Sequence, residues 1–293
     1  MQRRMKQLFI ASIYLCFFSA QLKAQPKKSG AIQFESTFDP AAMAAANGIK
    51  LSDEALARMP KSSVTNFELL FNATNASYVP VDEQEDSNNG GGSGPGAGAG
   101  PGMGGGMRFG GFGGGNKEYY YNFADHKLTE VFDLNDTTFM MQDKLGEFPK
   151  VSFGPDQGTP EVEYIKSDEV RKILGFTCNK VVVKTKVKRR IMDEDKEITD
   201  QTTVWYTNDL GFDFSPNPAL WSSGAVLAIE GKATHMFAKS IEYRKVSLKD
   251  VSLPKKGVVI TQDEFHDKME QRRKLMRANR NNAKGQVRAI TIN

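Results

Sequence analysis

Residues 31–38 read Ala31-Ile32-Gln33-Phe34-Glu35-Ser36-Thr37-Phe38, and this stretch decides the fold. Apolar Ile32, Phe34 and Phe38 alternate with polar residues, which is the pattern of a β-strand with one buried face. Further along the chain, short runs rich in β-branched and aromatic residues recur between polar turns. Such runs indicate further strands joined by hairpins, so the sequence predicts a sheet built mainly from antiparallel neighbours.

The other elements can be placed by the same patterns. An alanine-rich stretch between Asp39-Pro40 and Asn47-Gly48, and a second stretch from Ser52 to Pro60, have the capping residues of short helices. Further strands are predicted over residues 67–71, 77–79, 118–123, 128–132, 138–141, 170–174, 178–187, 198–207, 225–229, 233–248 and 258–260, with a charged hairpin turn at residues 193–196. The predicted class is mainly β, with one antiparallel β-sheet domain over residues 25–264. The sheet is expected to be curved or half-barrel-like, with short helices after the first strand and a helix at the C-terminus.

The C-terminal segment is basic and helical in pattern. Thr261 and Glu264 have the spacing of a capping box, which predicts a helix from this point to about residue 279. Its apolar stripe is narrow, so we expect it to dock lightly on the domain. Residues 265–293 hold eight basic residues and two acidic ones. Arg272, Arg273, Lys274 and Arg277 are candidate contacts for a protein partner or for anionic lipid in a peripheral membrane contact, the alternative being a solvated helix face.

The first 24 residues have the organisation of a secretory signal peptide. A basic start is followed by thirteen apolar residues, 8–20, and by Ala24 before the predicted cleavage. Thirteen apolar residues are fewer than the ~20 that span a bilayer. Leu15 precedes Cys16 where a lipidation signal needs a small residue. We therefore expect an exported protein that begins at Gln25 and lies in the periplasm or peripherally at the outer membrane.

Charge and cysteine content narrow the class of protein. The chain has 39 basic and 35 acidic residues, and the signal segment accounts for the difference. A neutral mature chain argues against a nucleic-acid partner. Cys178 alone remains after cleavage, so no internal disulfide is expected. Cys178 lies at the start of a predicted strand without an adjacent histidine, and we interpret it as a buried structural thiol.

A glycine-rich insertion is predicted at residues 88–116, where 16 of the 26 residues from 90 to 115 are glycine. Such a composition is typical of a flexible segment between strands. A phosphate-binding loop would end in Lys-Ser or Lys-Thr, and neither follows these glycines. Phe109 and Phe112 are the candidate partner contacts within the insertion.

Motifs for catalysis or metal binding are absent from the sequence. His126, His235 and His266 lack the spacing of metal ligands, and the chain has no Gly-x-Ser-x-Gly turn. The prediction is a non-enzymatic protein without a cofactor, a catalytic residue or a metal site. Thr137 lies in Asp136-Thr137-Thr138, a pattern that some Gram-negative envelope systems glycosylate on the threonine oxygen, and is a candidate modification site.

Three stretches carry a family resemblance. Residues 172–181 read KILGFTCNKV, residues 204–210 read VWYTNDL, and residues 223–230 read SGAVLAIE. Together they resemble the GLPGLI family of exported Gram-negative envelope proteins, although the namesake hexapeptide here reads SSGAVL. The resemblance covers about residues 30–80 and 165–265 and gives structural roles to Gly175, Cys178, Trp205, Tyr206 and Gly224. It implies a β-rich periplasmic or outer-membrane-associated protein beside transport or assembly machinery.

Two functions are consistent with this sequence. In the first, the sheet is a docking surface for another envelope protein. In the second, the sheet encloses a lipid or another apolar ligand as a periplasmic carrier does. A dry cavity lined by the inward apolar residues would favour the carrier, whereas a filled core with an exposed strand edge would favour docking.

Overall fold

The computed structural model describes residues 29–46, 50–59, 62–81, 117–134, 137–147, 160–191, 194–272 and 274–275. The predicted signal peptide, residues 1–24, and the predicted glycine-rich insertion, residues 88–116, lie outside the described residues.

The chain forms strands with three short helices and one 3-10 turn among its described residues. The strands are β1 (Gly30–Phe38), β2 (Ser63–Phe71), β3 (Asn75–Val81), β4 (Glu118–Asn122), β5 (Lys127–Leu134), β6 (Thr137–Asp143), β7 (Glu161–Ile173), β8 (Phe176–Ile191), β9 (Glu194–Thr207), β10 (Ala225–Glu230), β11 (Thr234–Tyr243) and β12 (Val258–Ile260). The helices are α1 (Pro40–Ala46), α2 (Asp53–Arg58) and α3 (residues 262–272 and 274–275), and the 3-10 turn is Leu248–Val251.

All twelve of these strands belong to one sheet, in the order β12-β6-β5-β4-β3-β2-β1-β11-β10-β9-β8-β7. Neighbours are antiparallel except β12 and β6, which run parallel. The sheet is not closed into a barrel. The mainly β class, the single large sheet, the two helices after the first strand and the C-terminal helix are confirmed. β1, whose pattern predicts the fold, lies inside the sheet between β2 and β11.

One face of the sheet is covered by the chain itself. We call it the inner face; it carries Phe34, Tyr78 and Tyr121 from β1, β3 and β4. The segment between β9 and β10, residues 208–224, crosses this face and buries Phe214. The Phe214 ring lies with its centroid 5.6 Å from Phe34, 5.4 Å from Tyr78 and 5.3 Å from Tyr121. Three strands are thus joined by the burial of one aromatic side chain.

The C-terminal helix covers a second, smaller apolar cluster. Phe265 and Met269 of α3 pack against Phe132 and Phe139, and Ile260 of β12 completes the cluster. The predicted capping box is present: the Glu264 carboxylate accepts the Thr261 N–H at 2.8 Å, and the Thr261 hydroxyl accepts the Glu264 N–H at 3.2 Å. The helix therefore docks through two apolar side chains, in agreement with its narrow stripe.

Several strand boundaries differ from the prediction, among them the start of β7, the end of β11 and the start of β9. β7 begins at Glu161, nine residues before the predicted start, because charged residues can occupy an edge strand that is exposed on both faces. β11 ends at Tyr243, before residues 248–251 turn into the 3-10 helix. Glu194, predicted to lie in a turn, already belongs to β9 and pairs with Ile191, so β9 begins earlier than predicted.

Truncation of Phe214 to alanine should lower the free energy of unfolding more than a substitution at the protein surface. Phe214→Ala removes a fully buried ring from contact with three strands, so we expect the free energy of unfolding to fall by about 3–5 kcal/mol. The control is Val259→Ala, at a side chain 75% exposed, with an expected change within about 0.5 kcal/mol. Urea denaturation of both variants gives the comparison. A loss of less than about 1 kcal/mol for Phe214→Ala would show that residues 208–224 contribute little to the core.

Candidate functional site

Gly175 and Cys178 belong to the hairpin that joins β7 to β8. Leu174 has a φ of 50° and Gly175 a φ of 87°, and two successive positive φ angles are typical of the tight hairpin turn whose twist matches the strands. Cys178 is fully buried in β8. Burial raises the pKa of its thiol to about 11, so the group stays protonated and weakly nucleophilic at neutral pH.

Trp205 organises a charged cluster on the opposite, outer face of the sheet. The Arg171 guanidinium lies 4.7 Å from the Trp205 ring centroid, and the Lys180 ammonium lies 5.6 Å from it. The Trp205 indole N–H donates to Glu230 at 3.3 Å, and Arg171 pairs with the same carboxylate at 2.8 Å. Cation–π contacts and the shared carboxylate therefore hold the C-terminal half of β7 against β9 and β10.

Tyr206 and Gly224 lie across the sheet from the Trp205 cluster, near the inner face. The Tyr206 ring is 4.9 Å from the Trp221 ring. Gly224 has a φ of 67°, and a Cβ atom at this position would lie 2.6 Å from the Asn208 side-chain oxygen and 2.7 Å from the Thr207 carbonyl oxygen. Its N–H donates to the Asp213 carboxylate at 2.6 Å. The backbone there requires a glycine for both conformation and space.

A cavity of about 420 Å³ lies beside Gly224, where β4 ends, β5 begins and β6 ends. Its apolar wall includes Phe123 and Phe212, whose rings stack with centroids 4.9 Å apart. Lys127 and Lys144 line it from the start of β5 and the end of β6. The volume is within the range of small-molecule sites, and the lining combines ring faces with charged groups.

Two carboxylates approach each other near this cavity, on strands β5 and β6. Glu130 is buried and forms an ion pair with Lys117. The pKa of Asp143 is raised to about 6, mainly by burial and in smaller part by the Glu130 charge, against the lowering effect of the Lys144 N–H. Burial also raises the pKa of Tyr119, with a smaller contribution from Glu130. Asp143 is therefore an acid that changes charge near neutral pH.

Of the residues predicted as partner or membrane contacts, the structure describes Arg272 and Lys274. Arg272 is half-buried in α3, and Lys274 is exposed and pairs with Glu270 at 3.1 Å. Thr137 is the first residue of β6 and is half-buried. Arg273, Arg277, Phe109 and Phe112 lie outside the described residues. Within the described ranges, no helix is long and apolar enough to cross a membrane, and no group of three or more metal-ligand side chains forms.

The structure thus brings together some residues of the three stretches that resemble the family and places further side chains beside them. Cys178 and Trp205 lie on neighbouring strands β8 and β9, and Gly224 lies at the cavity. Sequence reasoning missed Arg171, Glu230, Asp143 and Asp213 as site residues. A signal existed for Glu230, because it is a lone charge after the apolar run 225–229. None existed for Asp143, since its environment comes from β4 and β5.

Comparison with known proteins adds little to this geometry. No protein-family model and no curated protein match the chain. Among solved structures, PNGF-II in its P21 and C2 crystal forms is similar at 14% sequence identity and a TM-score of 0.44. The matches cover 82% and 83% of this chain and 32% of the PNGF-II chain. The chain thus spans about a third of the length of that protein.

The two turn glycines provide a matched test of this geometry. Both have positive φ angles, but a Cβ at Gly175 would meet nothing within 4 Å, whereas one at Gly224 would collide with Asn208 and Thr207. Gly224→Ala should therefore lower the free energy of unfolding by at least about 1 kcal/mol more than Gly175→Ala, which adds backbone strain alone. Urea denaturation measures both. Equal losses would contradict the assigned packing of Gly224.

Asp143 should make stability depend on pH. Its raised pKa means that the folded state binds more protons than the unfolded chain between about pH 4 and pH 6. Stability from this group is therefore present at low pH and lost as pH rises through about 6. Asp143→Asn should be more stable than wild type at pH 7.5, on the order of 1–2 kcal/mol, and the difference should shrink towards pH 4.5. Urea denaturation of both proteins across this pH range tests the prediction. A difference in the free energy of unfolding that stays constant with pH would contradict it.

Proposed function

We propose that the protein is a non-enzymatic, exported envelope protein, related to the GLPGLI family, that docks another envelope protein along the edge of its sheet. The partner adds an extended segment to β7 and continues the sheet. The chain acts as an accessory module beside outer-membrane transport or assembly machinery. Export rests on the signal segment, and the family relation rests on the stretches around Gly175, Trp205 and Gly224.

The filled inner face supports docking over transport of an apolar ligand. A carrier would place its ligand on the inner face of a curved sheet, and in this protein residues 208–224 occupy that place. Phe214 fills the centre, and the Phe212 ring lies 5.0 Å from the Phe71 ring nearer the end of the sheet. Since these side chains take the volume that a lipid chain would need, the inner face serves as a core.

The single observation that carries the proposal is the exposure of β7. It is a 13-residue strand at the end of the strand order, long enough to pair with an extended segment of roughly 40 Å. Tyr164 and Ile165 are exposed on its first half, and Val170 is 58% exposed on its second half. Among the described strands, β8 is the one neighbour of β7, and free backbone groups beside exposed apolar side chains are what strand addition uses.

The composition of β7 also favours a specific partner over indiscriminate pairing. The register between β7 and β8 shifts between Ser167 and Val170, which is a bulge. Bulges and charged residues on edge strands hinder pairing with unrelated chains. Glu163 and Lys166 on the first half would then select a partner segment with complementary charges. The basic face of α3, with Lys274 exposed, remains a candidate second contact with lipid or partner.

Site-specific photocrosslinking in living cells tests the docking edge. A photoreactive p-benzoylphenylalanine is placed at Val170 of β7 or, as matched control, at Val64 of β2, which is 55% exposed but lies between β1 and β3 in the strand order. We expect one dominant protein adduct from Val170 and little from Val64. Combining the Val170 probe with Ile165→Lys should reduce the adduct at least about fivefold, because a charge at an edge opposes strand addition.

Other outcomes would replace the proposal. Equal adduct yields from Val64 and Val170 would show that the edge has no special role. An adduct that joins two copies of this chain would make β7 a self-association edge. Native mass spectrometry of protein purified from the envelope provides the check on the carrier alternative, since a stoichiometric lipid that remains bound would contradict docking as the main function.

A further inference from the structure

The cavity at the end of the sheet is separate from the β7 edge and is lined by groups of one predominant charge. Two lysines, Lys127 and Lys144, line it, and among the described lining residues Asp213 is the one carboxylate. That carboxylate already accepts the N–H of Gly224 at 2.6 Å. The hydrogen bond from Gly224 partly satisfies the Asp213 carboxylate. The lining residues therefore have an excess of positive side chains.

The two lysines lie next to a cross-strand pair at the margin of β5 and β6. Leu128 pairs with Asp143, and Lys127 precedes Leu128 in the chain while Lys144 follows Asp143. Like charges at such positions are unfavourable unless an anion lies near them. Each lysine has one exposed carboxylate neighbour: Asp125 lies 4.0 Å from Lys127, and Glu147 lies 3.4 Å from Lys144. Exposed pairs of this kind contribute little, so a bound anion can replace them.

The apolar part of the cavity is formed by two stacked aromatic rings, which we call the ring platform. Phe123 and Phe212 stack at a 21° interplanar angle, and Phe212 also contacts Phe71 of the core, which holds the platform in place. Asn208 and Ser222 add neutral hydrogen-bonding groups to the lining. Apolar walls with a few placed polar groups are the usual composition of a small-molecule site.

We propose that this cavity binds a small organic anion whose ring or short acyl body lies against Phe123 and Phe212 and whose carboxylate or sulfonate lies between Lys127 and Lys144. The volume of about 420 Å³ is large enough for a ligand of one or two rings. The excess positive charge selects anions over neutral molecules of the same shape.

A pair of probes of equal shape tests the charge preference. 2-Naphthoate and neutral 2-naphthamide are titrated into the full mature chain and followed by calorimetry and amide NMR shifts. We expect the naphthoate to bind about tenfold more tightly, and to lose that advantage in Lys127→Gln/Lys144→Gln. The control Lys232→Gln/Lys239→Gln changes two exposed lysines elsewhere and should keep the preference.

Several results would overturn the proposal. Absence of naphthoate binding would do so, as would equal affinity for the two probes in wild type. Retention of the preference in Lys127→Gln/Lys144→Gln would show that the anion binds at another place. Both lysines are exposed, so the double variant should fold, and an unchanged melting temperature verifies this. The crosslinking result at Val170 is independent, because β7 does not line this cavity.

Discussion

An open sheet leaves its inner face to be covered, and in this protein the burial of Phe214 meets that constraint. Its backbone is held at the same place: the Phe214 N–H donates to the Gly224 carbonyl at 3.0 Å, and the Val226 N–H donates to the Phe214 carbonyl at 2.8 Å. The covering segment is thus fastened to β10 at the position where its ring meets three strands. Burial on this scale holds the sheet together without a disulfide in the described residues.

The same segment determines what the inner face can do. Because residues 208–224 fill the centre, the cavity described above lies away from it, between the β4–β5 turn and the turn at Gly224. That space is small, and its lining mixes ring faces with lysines. The exposed β7 edge lies at the end of the strand order. The chain therefore keeps a filled core and places its two candidate contact regions at the margins of the sheet.

Charged groups in the sheet occur in two settings with different consequences. On the outer face, Glu230 is compensated by Arg171 and by the indole of Trp205, and the cluster joins β7 to the strands beside it. Near the cavity, Asp143 is desolvated and close to Glu130, so its charge is disfavoured at neutral pH. The Glu230 cluster therefore stabilises the packing of β7 on the sheet. Asp143 keeps an unfavourable charge, and stability alone does not explain its presence.

The sequence alone determined the class of this fold, because its signals are local. The alternation around Phe34, the cap at Ser52 and the capping box at Thr261 each depend on neighbouring residues, and the structure contains the strand and both helices. The start of β7, the role of Phe214 and the assembly of Lys127 with Lys144 were decided by tertiary structure. These features depend on contacts between residues far apart in the chain, and local periodicity carries no information about which strands become neighbours.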